Sequence, residues 1–434
     1  MNWRLVVVAG LALAALPAVA QAADPAEVYV VKRGDTLYDL AQAYLLKPSD
    51  YRTLQRLNGV ADPRRLAVGK RLKVPVELLR TRPIEARVGA YRGSVQASLA
   101  GRAVPLSVGA ALSEGTVIAT GANAFLRLDL PDGTRLSLPS QSRVRLGRMI
   151  AVEMTGAVRR EISVEAGRLE SEVVPLRNPR DSYTVRTPMS VSAVRGTVFR
   201  VAYDPASSTA QTEVVEGVVA VDAKAQETRV AANFGALVTA AGVSGALALA
   251  PPPKIDNPGR MQDEAQVRFH VAEGPPARAY RARLAADAGF LDVLDETLAE
   301  TRDLQFENLA DGVYFLRVAA FDGNGLLGAP ATYAFERRLN TLNLGAPVSS
   351  SEGGVRRYRF RWTAAGAGER TYRFQLLQQG AAVPVVDEAG LTAQELTLTQ
   401  LPPGVYEWRV MSRTFAAGRH VEKWSPPERF EIGS

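Results

Sequence analysis

Leu126-Arg127-Leu128-Asp129-Leu130-Pro131-Asp132-Gly133-Thr134-Arg135-Leu136-Ser137-Leu138 reads as a strand, a turn and a second strand. Leu126, Leu128 and Leu130 alternate with Arg127 and Asp129, and Leu136 and Leu138 resume the alternation, which is the two-residue period of a half-buried strand. Pro131-Asp132-Gly133 turns the chain, because Gly133 can take the positive φ that a tight hairpin requires. Strand-like runs continue outward at Glu161 to Val164, Arg168 to Val174, Tyr183 to Val185, Thr197 to Ala202 and Thr212 to Val221. An all-β domain is expected over 82–223, as a sandwich or a solenoid-like stack. Within it, Arg195-Gly196-Thr197 reads as structural, with Gly196 allowing a bulge or close approach and Thr197, Phe199 and Val201 lining one strand face.

Upstream, 27–76 changes to a strand, helix, helix, strand pattern. Val28 to Val31 is a short apolar strand, Thr36 caps the next segment, and Asp39 three residues on makes a capping-box-like pair. Leu37, Leu40, Ala41 and Tyr44 then share one helical face. Pro48-Ser49-Asp50 breaks that helix, a second one carries Tyr51, Leu54 and Leu57, and Asn58-Gly59 closes it. Arg71 to Pro75 supplies the returning strand.

Downstream, the chain repeats itself with an offset of 92 residues. Leu309, Gly312, Val313, Tyr314, Arg317 and Val318 recur as Leu401, Gly404, Val405, Tyr406, Arg409 and Val410, and Tyr280-Arg281 recurs as Tyr372-Arg373. Two tandem β-sandwiches of one design are expected, at 260–339 and 343–434. The Ala-rich stretch 224–259, with Pro251-Pro252-Pro253 near its end, reads as a semi-rigid linker.

The extreme N-terminus sets the compartment. Arg4, the apolar run Leu5 to Leu16 and the small residues that follow make a secretory signal peptide over 1–22. That run is too short to span a bilayer comfortably, and no later segment reaches the ~20 apolar residues of a membrane helix. Export to the periplasm as a soluble protein, cell-wall associated and reaching a membrane only indirectly, is expected. The chain has no cysteine, which excludes disulfides, thiolate metal sites and cysteine nucleophiles. Its 434 residues suggest roughly three domains at about 150 residues each. Lys and Arg form no single run, so the formal net charge of +7 reads as a weak general attraction to anionic wall and membrane-surface polymers.

Residues 28–75 resemble a LysM module, on Tyr29-Val30-Val31-Lys32-Arg33-Gly34-Asp35-Thr36-Leu37, Asp39-Leu40-Ala41, Leu57-Asn58 and Val68 to Pro75. The resemblance implies a βααβ unit that binds N-acetylglucosamine polymers such as peptidoglycan in a shallow groove between two loops. Gly34, Asp35, Thr36 and Leu37 would form the first loop, and Val60, Ala61, Asp62, Pro63, Arg64 and Leu66 would belong to the second. Residues 107–222 resemble a FecR domain, on Leu112 to Thr120, the Leu126 to Leu138 hairpin, Glu165-Ala166-Gly167-Arg168-Leu169, Thr187-Pro188, Val194 to Val201 and Val215 to Val219. That family is named for periplasmic sensors that join the domain to a cytoplasmic anti-sigma segment through a membrane helix. A signal peptide and a LysM-like module stand in that place here, which argues against direct control of a sigma factor and for a protein-interaction role. The C-terminal repeats are similar to fibronectin type III or related immunoglobulin-like sandwiches.

No catalytic constellation is expected. His270 and His420 are the only histidines and do not occupy equivalent repeat positions, so a histidine-rich zinc site cannot be assembled. No cofactor or metal is implied, and nucleic-acid binding lacks both motif and compartment. Trp362, Trp408 and Trp424 invite sugar stacking, against which a packed sandwich core is the simpler account. The expected protein is a mainly β, multidomain, non-enzymatic scaffold that holds peptidoglycan and presents its β modules to an unidentified envelope protein. Regulation of a separate membrane sensor and glycan hydrolysis by paired carboxylates are the alternatives.

Overall fold

The computed structural model describes residues 26–224, 226–416 and 418–433, so the expected signal peptide at 1–22 lies outside the described residues. The chain divides into two units, the first comprising residues up to Pro83 with Ile150–Arg159, the second Ile84–Met149 with Arg160–Ser434. Among the described residues no helix is long and apolar enough to cross a membrane.

In the first unit the strands Glu27–Val30 and Arg71–Val74 pair antiparallel, from Glu27 opposite Val74 to Val30 opposite Arg71. The helices Leu37–Tyr44 and Tyr51–Leu57 lie between them in sequence. Leu72 and Val74 face inward while Arg71 and Lys73 face water, as strand alternation requires. Leu37, Leu40, Ala41 and Leu54 form the helical side of the core, with Leu57 left half exposed. Thr36 Oγ1 accepts from the Asp39 amide at 3.1 Å and donates to the Asp39 carboxylate at 2.7 Å. The cap is therefore real, but Asp39 returns its bond to the hydroxyl and not to a backbone N–H. Replacing Thr36 with Ala should cost about 1 kcal/mol of local stability. Amide exchange in Leu37–Tyr44 would speed up severalfold, and unchanged exchange would count against the cap.

Asn58 joins the second helix to the returning strand. Its Nδ2 donates to the carbonyls of Leu54 and Lys73, both at 2.9 Å, and its Oδ1 accepts from the Lys73 amide at 2.6 Å. The core is completed from a distance in sequence, by Val152 and Ala157, while Ile150–Val152 pairs with the strand Thr81–Pro83. Buried Glu27 meets Arg159 at 2.6 Å. The sequence reading places 150–159 inside the all-β domain, yet these residues belong to the first unit. A module of about 50 residues buries too small a fraction of its surface to be comfortably stable, and the added hairpin enlarges its core.

In the second unit, strands from Ala86–Arg92 to Leu247–Ala248 close into an antiparallel barrel, which resolves the choice between sandwich and solenoid-like stack. The hairpin at 126–138 forms with Leu126 opposite Leu138 and Asp129 opposite Arg135, and Gly133 has φ +89°. Leu126, Leu128, Leu136 and Leu138 are fully buried beside Val144, Tyr183, Phe199 and Val214. Gly196 has φ +131°, and a Cβ there would lie 2.7 Å from Pro175 Cα, so it provides a close approach next to a register shift at Val198/Phe199. Residues 224–259, expected to be a linker, contain the strands Gln226–Ala231, Phe234–Thr239, Gly242–Val243 and Leu247–Ala248. Phe234–Thr239 pairs with Thr209–Glu216 and buries Gly235, Ala236 and Val238 against the barrel, while most of the other alanines of the stretch face outward and the proline-rich end carries no named strand.

The two C-terminal repeats are β-sandwiches. In the first, a four-stranded sheet ordered Val293–Ala299, Ala279–Ala285, Gly312–Phe321, Ala331–Arg337 faces the pair Val267–His270 and Asp303–Phe306 across a shared core. In the second, the core gathers Phe360, Trp362, Phe374, Tyr406 and Trp408. The repeat is legible atom by atom: Tyr314 donates its hydroxyl to the Ala310 carbonyl at 3.1 Å, and Tyr406 donates to Pro402 at 2.8 Å. Both reach back four residues, a tyrosine-corner geometry that pins the start of the strand. Trp362 and Trp408 are buried in the core, and half-buried Trp424 carries the Arg409 guanidinium 4.4 Å from its ring centroid.

The barrel and the first sandwich are joined by buried charge. Strand Ala279–Ala285 is buried on both faces: Tyr280, Ala282 and Leu284 enter the sandwich core, while Arg281 and Arg283 meet Glu170 of the barrel at 2.6 and 3.0 Å. Glu213, fully buried, pairs with Arg168, lies 3.9 Å from Arg200 and accepts the Leu327 amide at 2.9 Å. Arg200 in turn donates to the carbonyls of Leu327 and Gly328 at 2.9 and 3.1 Å. Burial lowers the Arg200 pKa to about 10 against the opposing pull of Glu213 and Glu170.

Candidate functional site

The loop after the first strand is built around Asp35. Its Oδ2 accepts from the Tyr29 hydroxyl at 2.8 Å and the Lys32 amide at 2.7 Å, which closes the turn at Gly34, where φ is +93°. Burial, with the Asp35 carboxylate as the second cause, pushes the Tyr29 hydroxyl up to about 12. The second loop is ordered by Asp62, whose Oδ1 accepts the Arg64 amide at 2.9 Å. A backbone bond from Leu37 N to the Pro63 carbonyl at 2.8 Å joins the two loops.

The structure therefore brings the two expected segments together and divides their roles. Leu37 and Val60 are core residues, and Leu66 packs partly against that core. Gly34, Ala61, Asp62 and Arg64 are exposed, and Thr36 and Pro63 are half-buried. Open space surrounds Gly34 and Gly59, so a ligand can approach the backbone there.

Sequence reasoning passed over the flank of this loop pair. A shallow groove of about 770 Å³ is lined by Tyr51, Arg52, Gln55, Arg56, Gly59, Val60 and Ala61, of which only Val60 and Ala61 were expected at a site. Tyr51 was assigned to a helix face, yet it is half-exposed and pairs with Tyr38, their centroids 4.3 Å apart and their hydroxyls at 3.2 Å. Arg52 Nε donates to the Tyr51 hydroxyl at 3.2 Å. The available signal was Arg52 and Arg56 at i and i+4, beside an aromatic at a helix start.

The second unit has a cleft of about 790 Å³ between the barrel and the first sandwich, with Tyr203, Gln211, Arg278, Glu296 and Phe321 among its walls. Among the described residues no group of three or more His, Cys, Asp or Glu could hold a metal ion. His270 meets Asp303 at 2.8 Å on an exposed strand pair, and His420 packs 4.9 Å from the Phe415 ring.

Comparison with known proteins identifies two segments. The LysM domain model matches residues 29–75, and the FecR protein model matches 116–220. A putative anti-sigma factor from Parabacteroides distasonis ATCC 8503 is 23% identical, over 30% of this chain and 60% of that one, with a TM-score of 0.26. This chain thus spans about three fifths of that structure's length. A two-domain fibronectin type III segment from chicken tenascin is 14% identical, over 42% of this chain and 98% of that one, with a TM-score of 0.24. Fibronectin(III)-like modules of Clostridium thermocellum CbhA are 15% identical, over 41% and 90%, with a TM-score of 0.20. No curated protein matches the chain. The chain carries a LysM domain and a FecR domain within a mainly β, multidomain fold whose structural neighbours include fibronectin type III-like modules.

Proposed function

We propose that this chain, in which a LysM domain precedes a FecR domain and two fibronectin type III-like sandwiches, is an exported, non-enzymatic scaffold of the cell envelope. LysM domains bind N-acetylglucosamine-containing glycans and FecR domains serve signalling; both are binding or signalling modules, typical of extracytoplasmic proteins. In this reading the LysM loops hold peptidoglycan, through Gly34, Asp35, Thr36 and Leu37 on one side and Val60, Ala61, Asp62, Pro63, Arg64 and Leu66 on the other. The barrel and the two sandwiches face an envelope protein. The observation that carries the reading is the bond from Leu37 N to Pro63 O, which sets the two loops side by side with exposed backbone at Gly34. Leu37 and Val60 support the groove from beneath, and Asp35 and Asp62 shape its rims. Coupling a weak glycan module to a protein-binding surface raises effective concentration at the wall without any new contact.

Sedimentation of the mature protein with purified peptidoglycan sacculi tests the anchor. Co-sedimentation that is lost on deleting 28–75 is expected; failure to sediment, or retention unchanged by the deletion, overturns it. The FecR match favours a second reading, in which the β modules regulate a separate membrane sensor. Cross-linking in membranes followed by co-purification separates the two, since regulation requires one dedicated integral-membrane partner.

A further inference from the structure

Although Lys and Arg form no single run, the cationic excess is not spread evenly along the chain. Residues 27–83 hold twelve Lys and Arg against six Asp and Glu, so that one segment carries +6 of the chain's +7. Its acids are largely occupied: Glu27 is buried against Arg159, Asp35 is held by Tyr29 and the Lys32 amide, Asp39 by Thr36, and Asp62 by the Arg64 amide. The cations bond mainly to neutral groups: Arg52 to the Tyr51 hydroxyl, Lys70 to the Gly59 carbonyl and Arg80 to the Leu45 carbonyl. Arg52, Arg56 and Arg64 are exposed, and no carboxylate pairs with them among the described residues. The groove on the flank of the LysM loops is lined by two arginines and no acid, and Lys70 reaches its edge with Nζ 3.4 Å from the Gly59 carbonyl.

The tyrosines complete this surface. Exposed Tyr38 and half-exposed Tyr51 make a tilted ring pair, and the Arg52 guanidinium lies 5.7 Å from the Tyr51 ring centroid. Hydrogen bonds from Tyr38 and then Arg52 lower the Tyr51 hydroxyl below its usual range, and the Arg64 charge acts in the same direction. Flat rings beside guanidinium groups that have no carboxylate partner suit a sugar ring that carries a carboxylate: the rings cover its C–H face and an arginine grips the anion with its N–H donors.

Resting on the glycan-anchor reading above, we infer that the Tyr38–Tyr51–Arg52–Arg56 surface makes this LysM module selective for glycan strands bearing free carboxylates, over neutral N-acetylglucosamine polymers. The chemistry is that of a muramyl-type lactyl or peptide carboxylate carried on an N-acetylated sugar strand. Exposed pairs of this kind contribute modestly, so two arginines give a preference on the order of fivefold, which weakens as salt screens the charges.

The test compares binding of the full mature protein to native sacculi, to sacculi whose carboxylates have been amidated with carbodiimide, and to chitohexaose. The wild type should prefer native over amidated sacculi by roughly fivefold at low salt. The R52Q/R56Q variant should lose that preference, and R52K/R56K, which keeps the charge but not the paired donors, should retain part of it, which separates charge from a folding defect. Equal binding of the wild type to native and amidated sacculi, with chitohexaose bound, overturns the selectivity alone and leaves the anchor intact. A preference that survives in R52Q/R56Q also overturns it. Binding to none of the three overturns the anchor and the selectivity together.

Discussion

Replacing Glu213 with Ala should destabilise the second unit by about 3 to 5 kcal/mol, the usual result of removing one partner of a buried ion pair. The carboxylate is fully buried and serves Arg168, Arg200 and the Leu327 amide together. Its loss leaves two guanidinium groups, each largely buried, without their nearest anion, and the Leu327 N–H without its acceptor. Glu213→Gln, which can still accept from Leu327, should lie between alanine and wild type. Because a multidomain chain need not unfold in one step, the appropriate readout is local. Amide exchange in Thr209–Glu216 should rise by two orders of magnitude or more, following from those kilocalories. A change below about 0.5 kcal/mol would mean that the charges do not hold this junction. Glu170 adds a pH signature. Burial would raise its pKa, but Arg283, Arg281 and Arg200 outweigh burial and hold it well below the ordinary carboxylate range. A depressed folded pKa stabilises above the unfolded value of about 4.3 and is lost as pH falls through the folded one. Protection of the barrel–sandwich junction should therefore be full above about pH 4.3, decline progressively as pH falls below it, and be lost at the depressed folded pKa.

Gly167→Ala is the second large effect, expected to cost about 2 to 5 kcal/mol by adding backbone strain to overpacking. Gly167 has φ +73°, and a Cβ there would lie 2.3 Å from the Gln141 carbonyl oxygen and 2.7 Å from Ser142 Cα. It sits within the strand Val158–Glu172, at the point where pairing with Val198–Asp204 begins opposite Tyr203. Neither backbone can retreat, since the Arg168 amide donates to Ser142 Oγ at 3.1 Å and Ser142 is itself tied to Thr120. Gly101→Ala provides the control: φ there is +77°, but nothing lies within 4 Å of the new Cβ, so only the strain of about 1 to 2 kcal/mol remains. Equal losses of thermal stability in the two variants would show that the contact with Gln141 is unimportant.

The two glycines mark how far a sequence can be read. The motif Glu165-Ala166-Gly167-Arg168-Leu169 is visible as a stretch resembling a FecR domain, but nothing in it says that Gln141 packs on Gly167. The Leu126–Leu138 hairpin, the LysM helices with their Thr36 cap and the 92-residue repeat were all legible, because each depends on neighbours within a few residues or on an internal copy. The alanine-rich stretch 224–259 was misread because alanine and glycine look alike in a flexible linker and in strands that pack closely. At the candidate site, the two loops were found through motif order, while Tyr38, Tyr51, Arg52 and Arg56 were missed because amphipathic spacing assigned or ignored them one helix at a time.

What the sequence determined by itself was local: strand period, turn chemistry, caps, the absence of thiols, and the identity of the modules. Tertiary structure alone decided that Val152 and Ala157 complete the core of the first unit, that Glu170 and Glu213 neutralise arginines more than 30 residues away, and that Tyr51, Arg52 and Arg56 line one groove beside the LysM loops. The physical reason is that burial and charge pairing depend on which surfaces meet in space. A carboxylate in a strand has the same alternation pattern whether it faces water or a buried guanidinium.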